Sequence, residues 1–179
     1  MLNRLSILGF LFLFLVSCSQ NSLDIYKDEN PVFHPKKFFS GKMIAQGMVT
    51  NRSGEVIKRF NCDIVGTWNG DEGELDERFT YADGSKQRRI WKLSYDPKTQ
   101  SLTGRASDIV GTAQGEFAGN TFHFTYDLKI NVDESEYEIY VDDWMHLIDE
   151  NTLMAKSRMS KWGFDVGEIT LIMKKVDGE

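Results

Sequence analysis

Hydrophobic and polar residues alternate along much of this chain, and the alternation is clearest over residues 121–132. Phe122, Phe124 and Tyr126 fall on one side of that segment, whereas His123 and its alternate neighbours on the other side are polar. A two-residue period is typical of a strand that buries one face and exposes the other. We therefore predict a β-strand here, with its aromatic face turned inward.

Segments of the same kind recur along the chain, separated by turn residues at intervals of about 8–12 residues. No window of helical length carries apolar residues at helical spacing. Sequential short strands favour an antiparallel meander, and closure removes its exposed edges. The predicted fold is all-β, a meander closing into a lipocalin-like or calycin-like barrel, with strands at residues 42–50, 55–68, 73–81, 86–95, 101–107, 109–118, 121–132, 136–147, 152–162 and 166–176.

Two predicted hairpins set the register of their strands. Gly119 and Asn120 form a two-residue turn signal. The pairing that follows places small residues opposite large ones, which is how a closed barrel fills its interior. The pairs expected from this turn are Phe117–Phe122, Gly115–Phe124, Ala113–Tyr126 and Gly111–Leu128.

The second hairpin predicts a charge pair inside the barrel. A three-residue turn at residues 82–84 places Glu77 opposite Arg89, and Leu75 opposite Trp91. Both charged residues share a face with aromatic and aliphatic residues. Because an inward charge is costly unless it is paired, we expect an ion pair between them.

The first residues differ from the rest of the chain. Arg4 precedes an apolar run over residues 5–16, which is too short for a membrane-spanning helix. The run ends in the string LVSC, which resembles the lipobox of bacterial lipoproteins, in which the cysteine receives a lipid and the chain is cut before it. We therefore expect residues 1–17 to be a lipoprotein signal peptide and Cys18 to carry the acyl (palmitate) anchor. An ordinary secretory signal with a chance cysteine is the alternative.

This anchor sets the expected location and domain order. Under enterobacterial sorting rules Ser19, rather than an aspartate, favours the outer membrane. Residues 18–37 are polar and lack an apolar period, so we interpret them as a lipidated N-terminus and flexible tether. Residues 38–179 are predicted to form a single barrel domain facing the periplasm.

The charge of the chain excludes some partners. Cleavage before Cys18 leaves 20 lysines and arginines against 27 aspartates and glutamates, a net charge of −7. Nucleic acid requires a basic face, so we expect no nucleic-acid partner. Broad docking on anionic lipid is likewise disfavoured, which leaves the acyl chain to hold the protein on the membrane. The remaining cysteine, Cys62, is expected to be a small buried hydrophobe.

The string Asp-Asp-Trp-Met at residues 142–145, the segment from Glu77 to Gly84 and several shorter motifs carry a family resemblance. Through them, nearly all of the mature domain resembles DUF3833, an uncharacterised family of lipoproteins from Gram-negative bacteria. The family has no established activity, so the resemblance implies a shared fold and little chemistry. Its most specific element is the string Asp-Asp-Trp-Met at residues 142–145. The other matching motifs are Gly41 to Gly47, Arg59-Phe60, Trp68 with Gly70, Glu77-x-Phe79-x-Tyr81-x-Asp83-Gly84, Arg89-x-Trp91, Gly104-x-Ala106-x-Asp108, Gly111-x-Ala113-x-Gly115, and Met159-x-Lys161-x-Gly163 running to Gly167-Glu168.

Adjacent carboxylates at Asp142 and Asp143 suggest cation binding or acid–base chemistry. Neighbours on a strand point to opposite faces, so only one of the two can face the interior, and the sequence does not say which. We expect Trp144 to pack inside and one aspartate to bond to backbone or to a buried arginine. A metal site using Asp142 and His146, which share a strand face, is the less favoured alternative.

The sequence favours a binding module over an enzyme. No nucleophile elbow, phosphate loop or dinucleotide fingerprint occurs, and we expect no cofactor and no metal. The hypothesis is that the domain binds a hydrophobic or lipid-like molecule inside its barrel. The candidate pocket residues are Glu77, Arg89, Trp91, Phe124, Tyr126, Asp142, Asp143 and Trp144.

The same residues also fit a packed core. An interior without a cavity of about 300 Å³ favours a structural or assembly lipoprotein with a protein partner. A hydrolase or other enzyme acting on lipid is a further alternative.

Overall fold

The computed structural model describes residues 22–132 and 135–176, so the predicted signal peptide (1–17) and Cys18 lie outside the described residues. Consecutive strands pair antiparallel and the last pairs with the first, which confirms the predicted all-β barrel. The elements are a turn of 3-10 helix at Leu23–Tyr26, helix α1 (Pro35–Phe38), and strands β1 (Gly41–Asn51), β2 (Val56–Asn69), β3 (Glu72–Tyr81), β4 (Lys86–Asp96), β5 (Ser101–Arg105), β6 (Ile109–Ala118), β7 (Thr121–Val132), β8 (Ser135–Asp149), β9 (Thr152–Lys161) and β10 (Phe164–Lys175).

Within the part of the chain that the structure describes, no helix is long and apolar enough to cross a membrane.

The β3–β4 hairpin has the predicted register. Glu77 pairs with Arg89, and Leu75 pairs with Trp91. The turn at residues 82–84 therefore aligns the two charged residues on the inner face, as the sequence indicated.

The β6–β7 hairpin has the predicted register only next to its turn. The pairs Phe117–Phe122 and Gly115–Phe124 form as expected. The pairs predicted further along, Ala113–Tyr126 and Gly111–Leu128, are wrong because the register shifts between Val110 and Gln114, and Leu128 pairs with Ile109 instead. Gly111 has a φ of +70° in this irregular stretch, a backbone conformation that glycine adopts without strain.

The N-terminal segment closes one end of the barrel, at the turns that follow β2, β6 and β8. The Phe33 side chain is 0% exposed, and its ring stacks on the Phe122 ring with centroids 5.2 Å apart. The Phe33 amide donates to the carbonyl of Gly119 at 2.7 Å. Trp68 Nε1 donates to the Phe39 carbonyl at 3.0 Å, which fixes the residues after α1 on the barrel wall.

The flexible tether predicted for residues 18–37 therefore does not extend to Lys37. Phe33 belongs to the core, and the carbonyl of Tyr26 lies so close to Gly119 that a Cβ there would meet it at 1.8 Å. Burying a phenylalanine side chain contributes about 1.5–3 kcal/mol, which offsets part of the entropy lost when the segment orders.

The two halves of the barrel interior differ in solvent access. Near the closed end, inward side chains such as Met43, Leu102 and Leu153 are fully buried. Solvent reaches an inward side chain of a closed barrel only through one of its ends. Towards the other end, at the turns after β1, β3 and β9, more of the inward side chains are only partly buried, although Phe60, Leu128 and Ile139 are buried there and Trp68, Tyr95 and Phe117 are partly buried at the closed end. The partly buried residues towards this other end, which we call the mouth, include Val49, Phe79, Tyr81, Tyr126, Ile130, Met159 and Ile169.

Candidate functional site

Arg89 lies at the inner end of the mouth between two carboxylates. Its Nε and Nη2 atoms donate to Asp108 at 2.8–3.0 Å. Its Nη1 atom lies 3.6 Å from Glu77 Oε2, which confirms the expected pairing of Arg89 with Glu77. The three side chains are 12–20% exposed, so water reaches them only at the base of the mouth.

Asp108 comes from the short connection between β5 and β6. Its carbonyl accepts a hydrogen bond from the Lys129 amide at 2.8 Å, which holds the connection against β7. Sequence reasoning missed Asp108 as the main partner of Arg89. The direction of a loop side chain cannot be deduced from alternation, because a loop has none. The only sequence signal for Asp108 was its place in a motif of the family.

Glu77 is incompletely satisfied. Its Oε2 atom is buried and accepts no hydrogen bond from any described residue. Burial raises the pKa of Glu77 to about 7, although the neighbouring Arg89 guanidinium acts in the opposite direction. Because such a carboxyl is about half protonated near neutral pH, Glu77 is poised to respond to a polar group placed beside it.

Asp143 is a second inward carboxylate, on β8. It pairs with Phe124 on β7 and with Ser157 on β9, and it is 7% exposed. The Ser157 hydroxyl donates to Oδ1 at 2.9 Å, while Oδ2 accepts no hydrogen bond from the described residues. Burial raises the pKa of Asp143 to about 7, the Ser157 hydroxyl lowers it, and the charges of Asp142 and Glu77 add to the rise.

The Tyr126 phenol interacts electrostatically both with Asp143 and with the Glu77–Arg89 pair. Burial raises the pKa of Tyr126, as do the charges of Asp143 and Glu77, while Arg89 lowers it. Its ring lies 5.5 Å from the Trp91 ring in an edge-on contact. A set of polar side chains that influence one another electrostatically thus lies in the interior at the base of the mouth. We call it the polar floor, and it consists of Glu77, Arg89, Asp108, Tyr126 and Asp143.

The surroundings of the polar floor are apolar and largely aromatic. Below it, Trp91 and Phe124 are each 5% exposed and their rings lie 5.3 Å apart. Above it, Phe79 stacks on Tyr81 at 6.1 Å, and the Arg89 guanidinium lies 5.6 Å from the Phe79 ring. An apolar enclosure with a few polar groups at its base has the composition of a small-molecule site.

Comparison with models of protein families shows to which family the chain belongs. The model of the family described as "Protein of unknown function (DUF3833)" matches residues 12–175. The chain belongs to the DUF3833 family. None of the curated proteins matches the sequence.

Solved structures are similar to this DUF3833 protein at low sequence identity. A protein of unknown function from the DUF3598 family of Nostoc punctiforme matches with a TM-score of 0.51 at 12% identity, over 83% of this chain and 51% of that one. The DUF3833 protein thus spans about half the length of that relative. A redesigned β-barrel, mFAP1, bound to DFHBI, matches with a TM-score of 0.40 at 11% identity, over 80% of this chain and 100% of that one. The first likeness shows the fold alone.

Two predicted pocket residues of the DUF3833 protein lie on the outer wall. Trp144 Nε1 donates to Asp142 Oδ1 at 3.1 Å, and the His123 ring stacks on the Trp144 ring at 4.1 Å. The expectation that Trp144 packs inside is wrong, and Asp142 is also not a pocket residue. The strand alternation that turns Asp143 inward turns both neighbours outward, and Trp144 is half-buried because His123 and Tyr26 cover it.

The alternative metal site does not form. His123 Nε2 lies 2.5 Å from Asp142 Oδ1, and His146 Nδ1 lies 2.8 Å from the Thr121 hydroxyl. Among the described residues, no group of three or more His, Cys, Asp or Glu side chains has the geometry to hold a metal ion.

Two cavities lie on the outside of the barrel. One has a volume of about 830 Å³ and is lined mainly by outward side chains of β1, β2, β9 and β10, among them Met48 and Met154. The other, of about 230 Å³, lies at the turn between β3 and β4, beside Val56 and Asp83. Neither is the enclosed interior space of about 300 Å³ that the sequence argument required. A ligand-binding function therefore has to rest on the mouth, where solvent reaches some of the inward side chains.

Proposed function

We propose that this DUF3833 protein is a membrane-anchored lipoprotein whose barrel binds a hydrophobic, lipid-like molecule through the mouth. One observation carries the proposal: some inward aromatic and aliphatic side chains remain reachable by solvent above a polar floor in which the buried Glu77 Oε2 accepts no hydrogen bond from the described residues. A guest in the mouth removes apolar surface from water at about 25 cal/mol per Å².

The polar floor favours a guest with one polar group. A buried polar atom without a hydrogen-bond partner costs about 1–3 kcal/mol. Glu77 Oε2 is such an atom. When the polar group of the guest enters first, it can form a hydrogen bond with Glu77 Oε2. The apolar part of the guest then packs against Phe79, Tyr81 and Ile130.

The membrane anchor rests on the sequence. The apolar run over residues 5–16 and the following Cys18 support lipidation, and Ser19 supports an outer-membrane location facing the periplasm. Replacement of Cys18 by serine should abolish labelling of the protein by a radioactive fatty acid and leave it uncut or released. Unchanged labelling and membrane retention in that variant contradict the anchor.

The binding proposal is tested by blocking the mouth. N-phenyl-1-naphthylamine, an uncharged apolar probe, should brighten on binding the domain without residues 1–18. Val49→Trp, on the inner face, should weaken its binding about tenfold or more by filling the mouth. Met48→Trp, the next residue on the outer face, fills the outer cavity instead and serves as the control. Equal effects of the two substitutions, or no probe binding by the unaltered domain, contradict the proposal.

A structural or assembly role with a protein partner is the second candidate. The outer cavity of about 830 Å³, with Met48 and Met154 exposed beside it, favours that role because exposed apolar patches mark interaction sites. Crosslinking from Met48→Cys in the cell envelope should capture one dominant protein if this role is correct. Native mass spectrometry of the purified protein should instead retain a lipid if the mouth is the functional site.

A further inference from the structure

We infer that the guest presents a hydrogen-bond donor to the polar floor, and that a protonated amine suits the floor best. This inference rests on the binding function proposed above and specifies its ligand class. It follows from the juxtaposition of Glu77 Oε2 and Asp143 Oδ2 across one interior with a single guanidinium.

The charges of the polar floor are unbalanced. Above the pKa of about 7 that Glu77 and Asp143 share, three carboxylates, those of Glu77, Asp108 and Asp143, face one cation, Arg89. Asp108 takes both the Nε and the Nη2 donors of Arg89, and the third nitrogen faces Glu77. An anionic guest therefore meets a cation that is already neutralised, together with two further carboxylates that repel it.

The two inward carboxyl groups of Glu77 and Asp143 also have unused acceptor oxygens. Glu77 Oε2 is buried and accepts no hydrogen bond from the described residues. Asp143 receives one hydrogen bond, from Ser157, and that bond goes to Oδ1. Carboxylates are acceptors when ionised, so the group that completes both must donate, and an ammonium group has three donors in a compact volume.

The depth of the mouth sets where the apolar part of such a guest lies. Tyr81 is at the rim and Glu77 is four residues deeper on the same strand, a distance of at most about 13 Å along the strand. Between them, Phe79 and Tyr126 provide aromatic surface. Aromatic faces also attract cations, so an amine keeps favourable contacts along its path to the floor.

The inference is tested with three dodecyl probes that differ only in their polar group: dodecylamine, 1-dodecanol and dodecanoate. Each displaces N-phenyl-1-naphthylamine from the domain at pH 8, below the concentration at which it forms micelles. We expect dodecylamine to bind most tightly and dodecanoate most weakly, with a difference of about tenfold or more. If dodecanoate binds as tightly as dodecylamine, the inference is wrong and the binding function stands. If the naphthylamine and all three probes fail to bind, the binding function itself falls.

Isosteric variants locate the effect. Asp143→Asn and Glu77→Gln should each reduce the affinity ratio of dodecylamine to dodecanoate, while retained naphthylamine binding reports an intact mouth. Asp142→Asn is the matched control, because it removes the same charge one residue away on the outer wall. A ratio that is unchanged in both inner variants, or reduced equally by Asp142→Asn, overturns the inference and indicates general attraction of the amine to an acidic protein.

Discussion

At the scale of single residues, Arg89 is held by two carboxylates of unequal weight. Asp108 makes its hydrogen bonds, whereas Glu77 approaches no closer than 3.6 Å. A buried charge that loses its hydrogen-bonded partner is left uncompensated, and this costs far more than losing a longer contact.

We therefore predict that Asp108→Ala lowers the free energy of unfolding by about 3–5 kcal/mol, and that Glu77→Gln lowers it by clearly less. Urea denaturation of both variants measures the difference. Asp127→Ala, at an exposed position on β7, controls for the loss of a surface carboxylate. Equal losses for Asp108→Ala and Glu77→Gln contradict this ranking of the partners.

The raised pKa values of Glu77 and Asp143 make stability depend on pH. In the unfolded chain these carboxyls titrate near 4.5 and 3.8, whereas in the fold both have a pKa of about 7. The folded protein therefore retains protons that the unfolded chain releases, and its free energy of unfolding falls as the pH rises from about 4 to about 7. Each carboxyl contributes on the order of 3 kcal/mol to that fall.

The double variant Glu77→Gln/Asp143→Asn should flatten this dependence. Urea unfolding at pH 5 and pH 8 measures it, and the unaltered protein should lose more stability between these values than the variant does. Asp142→Asn should retain most of the slope of the unaltered protein, because burial contributes more to the raised pKa of Asp143 than the charge of Asp142 does. A variant whose slope equals that of the unaltered protein shows that neither carboxyl titrates in this range.

The sequence predicted part of the polar floor. Glu77 and Arg89 followed from one turn type and the alternation of two strands. The sequence did not show which of Asp142 and Asp143 points inward, because alternation places adjacent strand residues on opposite faces without saying which face is the inner one. Asp108 was not predicted, because it lies in the loop between β5 and β6. The position of a loop side chain depends on tertiary contacts and not on the two-residue period of a strand.

At the scale of elements, the strands were predictable and the N-terminal segment was not. Each strand alternates over several residues, so its existence is signalled many times. The segment before β1 is fixed instead by isolated aromatic anchors such as Phe33, which create no period. The irregular pairing at Gly111 has the same character, since it depends on a single residue with positive φ.

We predict that Phe33→Ala lowers the free energy of unfolding by about 3–5 kcal/mol, the usual cost of removing a buried phenylalanine. Val32→Ala, one residue earlier at a side chain that is 48% exposed, should change it by less than about 0.5 kcal/mol. Thermal and urea unfolding compare the two. If both variants are as stable as the unaltered protein, the segment is a tether after all and does not belong to the core.

At the scale of the whole molecule, the barrel has two unlike ends and the chain enters at the closed one. Ser22 precedes the turn of 3-10 helix that packs beside Gly119, at the end opposite the mouth. Residues 18–22 span at most about 14 Å. A twelve-residue strand such as β7, tilted as barrel strands are, extends roughly 30 Å. With the anchor at Cys18, as proposed, the mouth cannot face the anchoring bilayer head-on.

This geometry predicts how the lipidated protein sits on a vesicle. A fluorophore at Asn151→Cys, in the closed-end turn after β8, should be quenched by spin-labelled head groups, whereas one at Arg52→Cys, in the open-end turn after β1, should be quenched far less. The domain without residues 1–18 should show no quenching at either position. Stronger quenching at residue 52 would place the mouth on the bilayer and exclude the short N-terminal link as the attachment. Weak quenching there indicates that the mouth, where we propose that the ligand binds, faces the aqueous side of the membrane that carries the proposed anchor.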